Sequence, residues 1–190
     1  MQDVNKIVVI GGSAGSLPIL LYLLNNLPAG FGIPVVVVLH RLKNVASELD
    51  KIVDFSKNGL QVREPEDKEP IRPGYVYFAP ANYHLLVESD KTFSLDYSEP
   101  IQYSRPSIDV SFESIAAIYG ANATGILLSG ANEDGANGLK DIIEKGGTGI
   151  VQDPDTSEYP TMPRAGIKKN HSVLIYSQQQ ILHYLEGLIL

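Results

Sequence analysis

At 190 residues, with 44% apolar and 19% charged residues, the chain is long enough for one domain with a full core, and a second domain is not expected. A net charge of −7 argues against the phosphate backbone of a nucleic acid as main partner, and the absence of cysteine excludes disulfides, thiolate catalysis and Cys-ligated zinc. The missing cysteines also fit a cytoplasmic location, and no secretory signal or membrane span is legible: the longest apolar segment, around Leu17 to Leu24, holds Pro18 and Tyr22 and is too short to cross a bilayer.

Ile7 to Ile10 is a continuous β-branched run, and Ile33 to Leu39 is a second; both have the pattern of parallel strands covered on two faces. Between them Leu17, Leu20, Leu21, Leu24 and Leu27 recur at helical spacing, and Pro28-Ala29-Gly30 ends that helix, which makes a βαβ unit. Ala46 to Phe55 reads as a second helix. From 60 to 97 the character changes. Leu60 to Arg63, Tyr75 to Phe78, Leu85 to Val87 and Thr92 to Leu95 are short, turn-separated segments that suggest hairpins or short edge strands. Pro106 to Tyr119 is predicted to be helical, with Pro106 at the first helical position. Thr124 to Leu128 is another buried-type strand, Gly138 to Lys145 a helix, Thr148 to Val151 and Val173 to Tyr176 strands, and Gln178 to Leu188 a closing amphipathic helix. The alternation predicts an α/β doubly wound domain: a mostly parallel sheet, helices on both faces, and a small antiparallel β-rich insert.

The first strand runs directly into Gly11-Gly12-Ser13-Ala14-Gly15-Ser16. A strand, a sharp turn and a helix lift the Ser13 hydroxyl above the carboxyl edge of the sheet, where ligands collect in open α/β folds. Gly11-x-Ser13-x-Gly15 also has the spacing of a nucleophile elbow, although the same turn could cradle a phosphate. His40 directly follows the second run and would project from the same edge as Ser13. An imidazole there would take the proton of a serine alcohol that is a poor nucleophile by itself. After the third buried-type strand comes Ser129-Gly130-Ala131-Asn132-Glu133-Asp134-Gly135, whose Glu133 or Asp134 could orient the ring on chemistry alone. The Ala14 amide is the natural first oxyanion donor. A dinucleotide fingerprint is disfavoured, because Ser13 and Ser16 interrupt the glycine pattern and His40-Arg41 stands where a ribose-binding acid belongs; an NADP-like use of Arg41 is the form of that alternative that remains. His84, His171 and His183 are weaker candidates, and no metal-ligand spacing is present.

With these residues in view, the sequence resembles the catalytic domain of the chemotaxis protein-glutamate methylesterase (CheB) family over nearly its whole length. The resemblance is carried by Ile10-Gly-Gly-Ser-Ala-Gly15, the valine run ending in His40, Arg72-Pro-Gly-Tyr-Val-Tyr-Phe-Ala-Pro80, His84-Leu85 and Ser104-Arg-Pro-Ser-Ile-Asp109. It continues through Leu128-Ser-Gly130 with Asp134-Gly135-Ala136, and Met162-Pro-Arg-Ala165. It implies Ser13 as nucleophile, His40 as general base and then acid, Asp134 as orienter, and the Ala14 and Ala131 amides as oxyanion donors. The implied reaction is hydrolysis of glutamyl γ-methyl esters on the cytoplasmic helices of chemoreceptors, with glutamine deamidation as a side activity and no cofactor or metal. Other chemotaxis or signalling domains, in the same or a partner chain, are further implied partners; nucleic acid and membrane insertion are not.

Three segments depart from the family pattern, most notably at Ser16, Ala131 and Arg41. Its Ser-Thr-Gly-Gly turn is Ser13-Ala14-Gly15-Ser16, its Gly-Met-Gly-Asn-Asp-Gly loop is Gly130-Ala131-Asn132-Glu133-Asp134-Gly135, and Arg41-Leu42 replaces Met-Pro after His40. These changes motivate an alternative expectation, a catalytically weak receptor-binding or regulatory module on the same fold. The receiver domain that normally gates such an enzyme is not expected in these residues, so 1–190 reads as a single methylesterase domain.

Overall fold

The structure is a computed structural model that describes residues 4–40, 58–101 and 103–189. Its centre is a seven-stranded, all-parallel sheet built from β1 (Ile7–Gly12), β2 (Val35–Leu39), β3 (Gln61–Arg63), β4 (Tyr75–Phe78), β7 (Ala123–Leu127), β8 (Thr148–Gln152) and β9 (Leu174–Tyr176). The strand order is β3-β4-β2-β1-β7-β8-β9. Apart from it, β5 (His84–Val87) and β6 (Phe93–Asp96) form a two-stranded antiparallel ribbon. The described helices are α1 (Leu17–Asn26), α2 (Ile108–Tyr119), α3 (Ala136–Glu144), α4 (Thr161–Lys169) and α5 (Gln178–Gly187).

Strand side chains alternate between faces, so one continuous apolar run feeds two cores. Val8, Ile10, Val35, Val37, Ile126 and Ile150 pack with Leu20, Leu23 and Leu24 of α1 and Ile181 and Leu185 of α5. Ile7, Val9, Val36, Val38, Leu127 and Val151 pack with Phe112 and Ile115 of α2 and Leu139 and Ile142 of α3. This two-sided burial explains why β1, β2 and β7 carry almost no polar residues within their length. Truncating one such buried leucine, Leu20→Ala for example, removes about 2–5 kcal/mol.

The expected doubly wound architecture is present, with three local corrections. The segment ending at Arg63 is a short edge strand, as expected, but Tyr75 to Phe78 is a parallel member inside the main sheet, and among the described strands only the β5–β6 pair is antiparallel. The burial of Val76, Tyr77 and Phe78 on both faces requires a place inside the sheet. Pro106 lies before helix α2, outside its first turn: Ser107 is the N-cap, its side chain accepting from the Val110 N–H. Helix α4 is not marked by apolar periodicity, since Pro163 and Gly166 are poor helix formers; Pro163 sits in the first turn, where its missing N–H has no intrahelical partner to lose. The helix expected at Ala46 to Phe55 lies outside the described residues.

The chain leaves β1 toward β2 on one side and returns as β7 on the other. A crevice opens at the carboxyl ends of strands where the winding reverses in this way. Ser13 follows β1, His40 follows β2, and the acidic loop follows β7.

Candidate active site

The end of β1 needs its glycines for close approach. A Cβ on Gly11 would lie 2.4 Å from Ile108 Cγ2, and one on Gly12 would lie 2.6 Å from the Ser16 side chain. Ser16 is buried, and its hydroxyl donates to the Ser13 carbonyl at 2.6 Å, while its N–H donates to the same oxygen at 3.1 Å. The extra bulk of Ser16 is thus absorbed inside the turn, which it closes. The Ser13 N–H donates to the Ser129 carbonyl at 2.9 Å, and Ser129 Oγ donates to the Ala14 carbonyl at 2.8 Å, tying the turn to the segment after β7. Gln152 Oε1 accepts from the Ser129 N–H at 2.9 Å and steadies that segment from β8. The Ser13 side chain itself is half-buried and makes no hydrogen bond among the described residues.

His40 continues the β1–β2 pairing by one residue, its N–H donating to the Gly12 carbonyl at 3.2 Å. Its ring reaches across β1 to the acidic loop, where Nε2 meets Asp134 Oδ2 at 2.7 Å. The ring's other nitrogen, Nδ1, stands 3.3 Å from Asn132 Nδ2. The two acids that local chemistry left open are therefore placed differently: Asp134 is fully buried against His40, and Glu133 is exposed.

Asp134 is held by the start of helix α2. Ser107 Oγ donates to Oδ1 at 3.0 Å, the Asp109 N–H to Oδ1 at 2.9 Å, and the Ile108 N–H to Oδ2 at 2.7 Å. These are unsatisfied first-turn donors at the positive end of a helix dipole, which is a natural seat for an anion. Burial by itself raises the Asp134 pKa, but hydrogen bonds from His40 and from the Asp109 and Ile108 amides outweigh it and hold the carboxyl below its usual 3.8. The arrangement is reciprocal: Asp109 in turn accepts from the Gly138 N–H at 2.8 Å and from Asn137 Nδ2 at 3.0 Å at the start of α3.

His84 is fully buried and structural. The Ser107 N–H donates to its Nδ1 at 3.1 Å and its Nε2 donates to the Glu99 carbonyl at 3.2 Å, so it supports the residue that supports Asp134. Ala14 and Ala131 are exposed beside Ser13 and Asn132, and neither backbone N–H has a partner among the described residues. Arg41 lies outside the described residues. A cavity of about 220 Å³ opens over His40, lined also by Ala81, Asn82, Tyr103, Ser104 and Arg105. The Arg105 guanidinium is pinned there, donating to the Tyr97 and Ser98 carbonyls at 3.1 and 2.7 Å and lying 4.0 Å from the centre of the Tyr97 ring. No group of side chains suited to a metal ion occurs among the described residues.

Ser107, Ser129, Gln152 and Asn132 carry this geometry, and none was singled out as a site residue from the sequence. Ser107 had a usable signal, a serine directly before an apolar helical run, the pattern of an N-cap. The other three act through side-chain bonds to distant backbone or ring atoms and have no local signature.

A family model described as CheB methylesterase matches residues 8–185. The Thermotoga maritima protein named protein-glutamate methylesterase/protein-glutamine glutaminase is 34% identical over 187 residues, covering 97% of this chain and 54% of that one, so the chain spans about half its length. A Leptospira interrogans relative named "Putative protein-glutamate methylesterase/protein-glutamine glutaminase" is 45% identical over 174 residues, covering 92% of this chain and 90% of that protein. The crystal structure of the Thermotoga maritima CheB methylesterase catalytic domain superposes with a TM-score of 0.89 at 34% identity, covering 97% of this chain and 98% of that one. Sequence, fold and named relatives agree, and the chain belongs to the CheB methylesterase family.

Proposed function

We propose that this chain is a protein-glutamate methylesterase that hydrolyses glutamyl γ-methyl esters on the cytoplasmic helices of chemoreceptors, with Ser13, His40 and Asp134 as its working side chains. The observation that carries the proposal is the 2.7 Å bond between His40 Nε2 and a buried Asp134, at the strand ends that flank Ser13.

Because Nε2 is committed to Asp134, His40 Nδ1 is the nitrogen that serves as base. The Ser13 hydroxyl gives its proton to Nδ1 as Oγ bonds to the ester carbon, and the carbonyl oxygen becomes an oxyanion. The Ala14 and Ala131 amides would donate to that oxyanion, and fixed donors of this kind are commonly the largest single contribution to such catalysis. Asp134 stabilises the imidazolium without taking its proton. On collapse the C–O bond to the methoxy group breaks, and His40 returns the proton to that oxygen, releasing methanol and leaving Ser13 acylated. Water, deprotonated by Nδ1, then attacks the acyl-enzyme and yields the free glutamate and the free serine. A glutamine side chain would follow the same course with ammonia as leaving group. No step calls for a cofactor.

The cytoplasmic location follows from the substrate proposed; no helix among the described residues is long and apolar enough to cross a membrane. The receptor-binding module without catalysis is not favoured, since the relatives are named as esterases. Incubation with a receptor fragment carrying labelled methyl esters tests the proposal. Wild-type protein should release labelled methanol and Ser13→Ala should not; equal release by both would sink it.

A further inference from the structure

The acidic loop carries a side chain that the scheme above does not use. Asn132 Oδ1 accepts from the Asp134 backbone N–H at 3.2 Å, which orients its amide group and turns Nδ2 toward His40 Nδ1 at 3.3 Å. An amide NH2 can only donate, so Nδ1 must be accepting and must carry no proton. The ring proton then sits on Nε2, where it is donated to Asp134 Oδ2 at 2.7 Å. The nitrogen left for Ser13 is the one that Asn132 already occupies.

We infer that Asn132 is a positioning residue that caps the His40 Nδ1 lone pair, so that the Ser13 hydroxyl must displace the Asn132 amide before it can hand over its proton. The inference rests on the assignment of Ser13, His40 and Asp134 proposed above. The charge-assisted bond to Asp134 is short enough to hold the Nε2–H tautomer without help, so the separate effect of Asn132 is competition for Nδ1. The competing bond is neutral, long and partly exposed. One such bond corresponds to a rate effect of roughly two- to tenfold. On this account Asn132 slows formation of the acyl-enzyme.

The test compares Asn132→Gly, Asn132→Ala and Asn132→Asp, reading the second-order rate at which a fluorophosphonate modifies Ser13 in the intact chain. The Gly and Ala variants free the lone pair and should react about two- to tenfold faster than wild type. In Asn132→Asp a carboxylate oxygen faces Nδ1, recruits a proton onto it and removes the base, so this variant should react about tenfold slower or worse. A gain on removing the side chain together with a loss on the isosteric change to Asp is not what a merely structural residue produces; a loss or a wild-type rate in the Gly and Ala variants, or a wild-type rate in Asn132→Asp, overturns the inference. The second readout is the ¹⁵N spectrum of the His40 ring in the Ser13→Ala background, which requires no turnover. There Nδ1 should resonate as a hydrogen-bonded acceptor and shift toward a free lone pair when Asn132→Ala is added. An unchanged spectrum overturns the cap on its own, whereas methanol release that persists in Ser13→Ala overturns the esterase proposal instead, so the two failures are distinguishable.

Discussion

Ser13 and Asp134 follow two neighbouring strands, β1 and β7, and are held in opposite ways. Asp134 is fully buried and accepts four hydrogen bonds, from Ser107 Oγ, the Ile108 and Asp109 amides and His40 Nε2. Ser13 is anchored firmly through its backbone, yet its hydroxyl is half-exposed and makes no hydrogen bond among the described residues. A fixed anion benefits from a fixed set of donors, because they stabilise a developing imidazolium without rearranging during the reaction. A nucleophile must instead turn from base to substrate, and a hydroxyl locked in one hydrogen bond would have to break it first. In the proposed scheme, rigidity is therefore concentrated where charge is held, and freedom where a bond would be made.

The contrast predicts that substitutions at the two residues separate activity from stability. Ser13→Ala should cost the most activity, on the order of a thousandfold or more, measured as methanol release, while the midpoint of thermal unfolding stays close to wild type. Asp134→Asn should lower turnover by about a hundredfold to ten-thousandfold and should also reduce stability, by about 2–3 kcal/mol in denaturant titration, because three donors on α2 lose their anion. An Asp134→Asn protein as stable as wild type would break the comparison. Ser107→Ala removes one donor and a helix cap together; about 1 kcal/mol of stability and a severalfold loss of turnover are expected, with the substrate KM little changed.

Acid unfolding sharpens the same point with the smallest effect. The Asp134 carboxyl titrates below its usual 3.8 in the folded protein, so its contribution to stability is complete above that pH and is lost as the pH falls through the lower folded value. The wild-type stability curve should therefore fall more steeply below about pH 4 than that of Asp134→Asn, which has no carboxyl to protonate there. Parallel curves would show that the cradle contributes little beyond geometry.

Much of the fold was legible because its signals are local. Ile7 to Ile10 and Val35 to Leu39 are apolar at every position, and only a strand covered on both faces uses such a run. Tyr75 to Phe78 was legible as a strand but not as a member of the main sheet, since partner and direction depend on where β2 ends up. Pro106 drew attention to the start of α2, yet the serine after it performs the capping and reaches Asp134. Helix α4 stayed hidden behind Pro163 and Gly166, whose low propensity is overridden by packing, with Met162 and Ala165 buried and Met162 set against Gly130 after β7.

The sequence by itself determined the strand–turn–helix at Ser13, the histidine at the next strand end, the doubly wound class and the family, because each is written in contiguous residues or in the order of short motifs. The family resemblance already named Asp134 over Glu133, but only the tertiary structure gave the physical reason, joined Asn132 to His40, and made the N-terminus of α2 the seat of a buried charge. Glu133 and Asp134 are adjacent and chemically alike, and what separates them is which one the backbone aims at donors 25 to 27 residues away in the chain. Such donors become neighbours only when α2 packs across the ends of β1 and β7, and no local pattern of residues records that meeting.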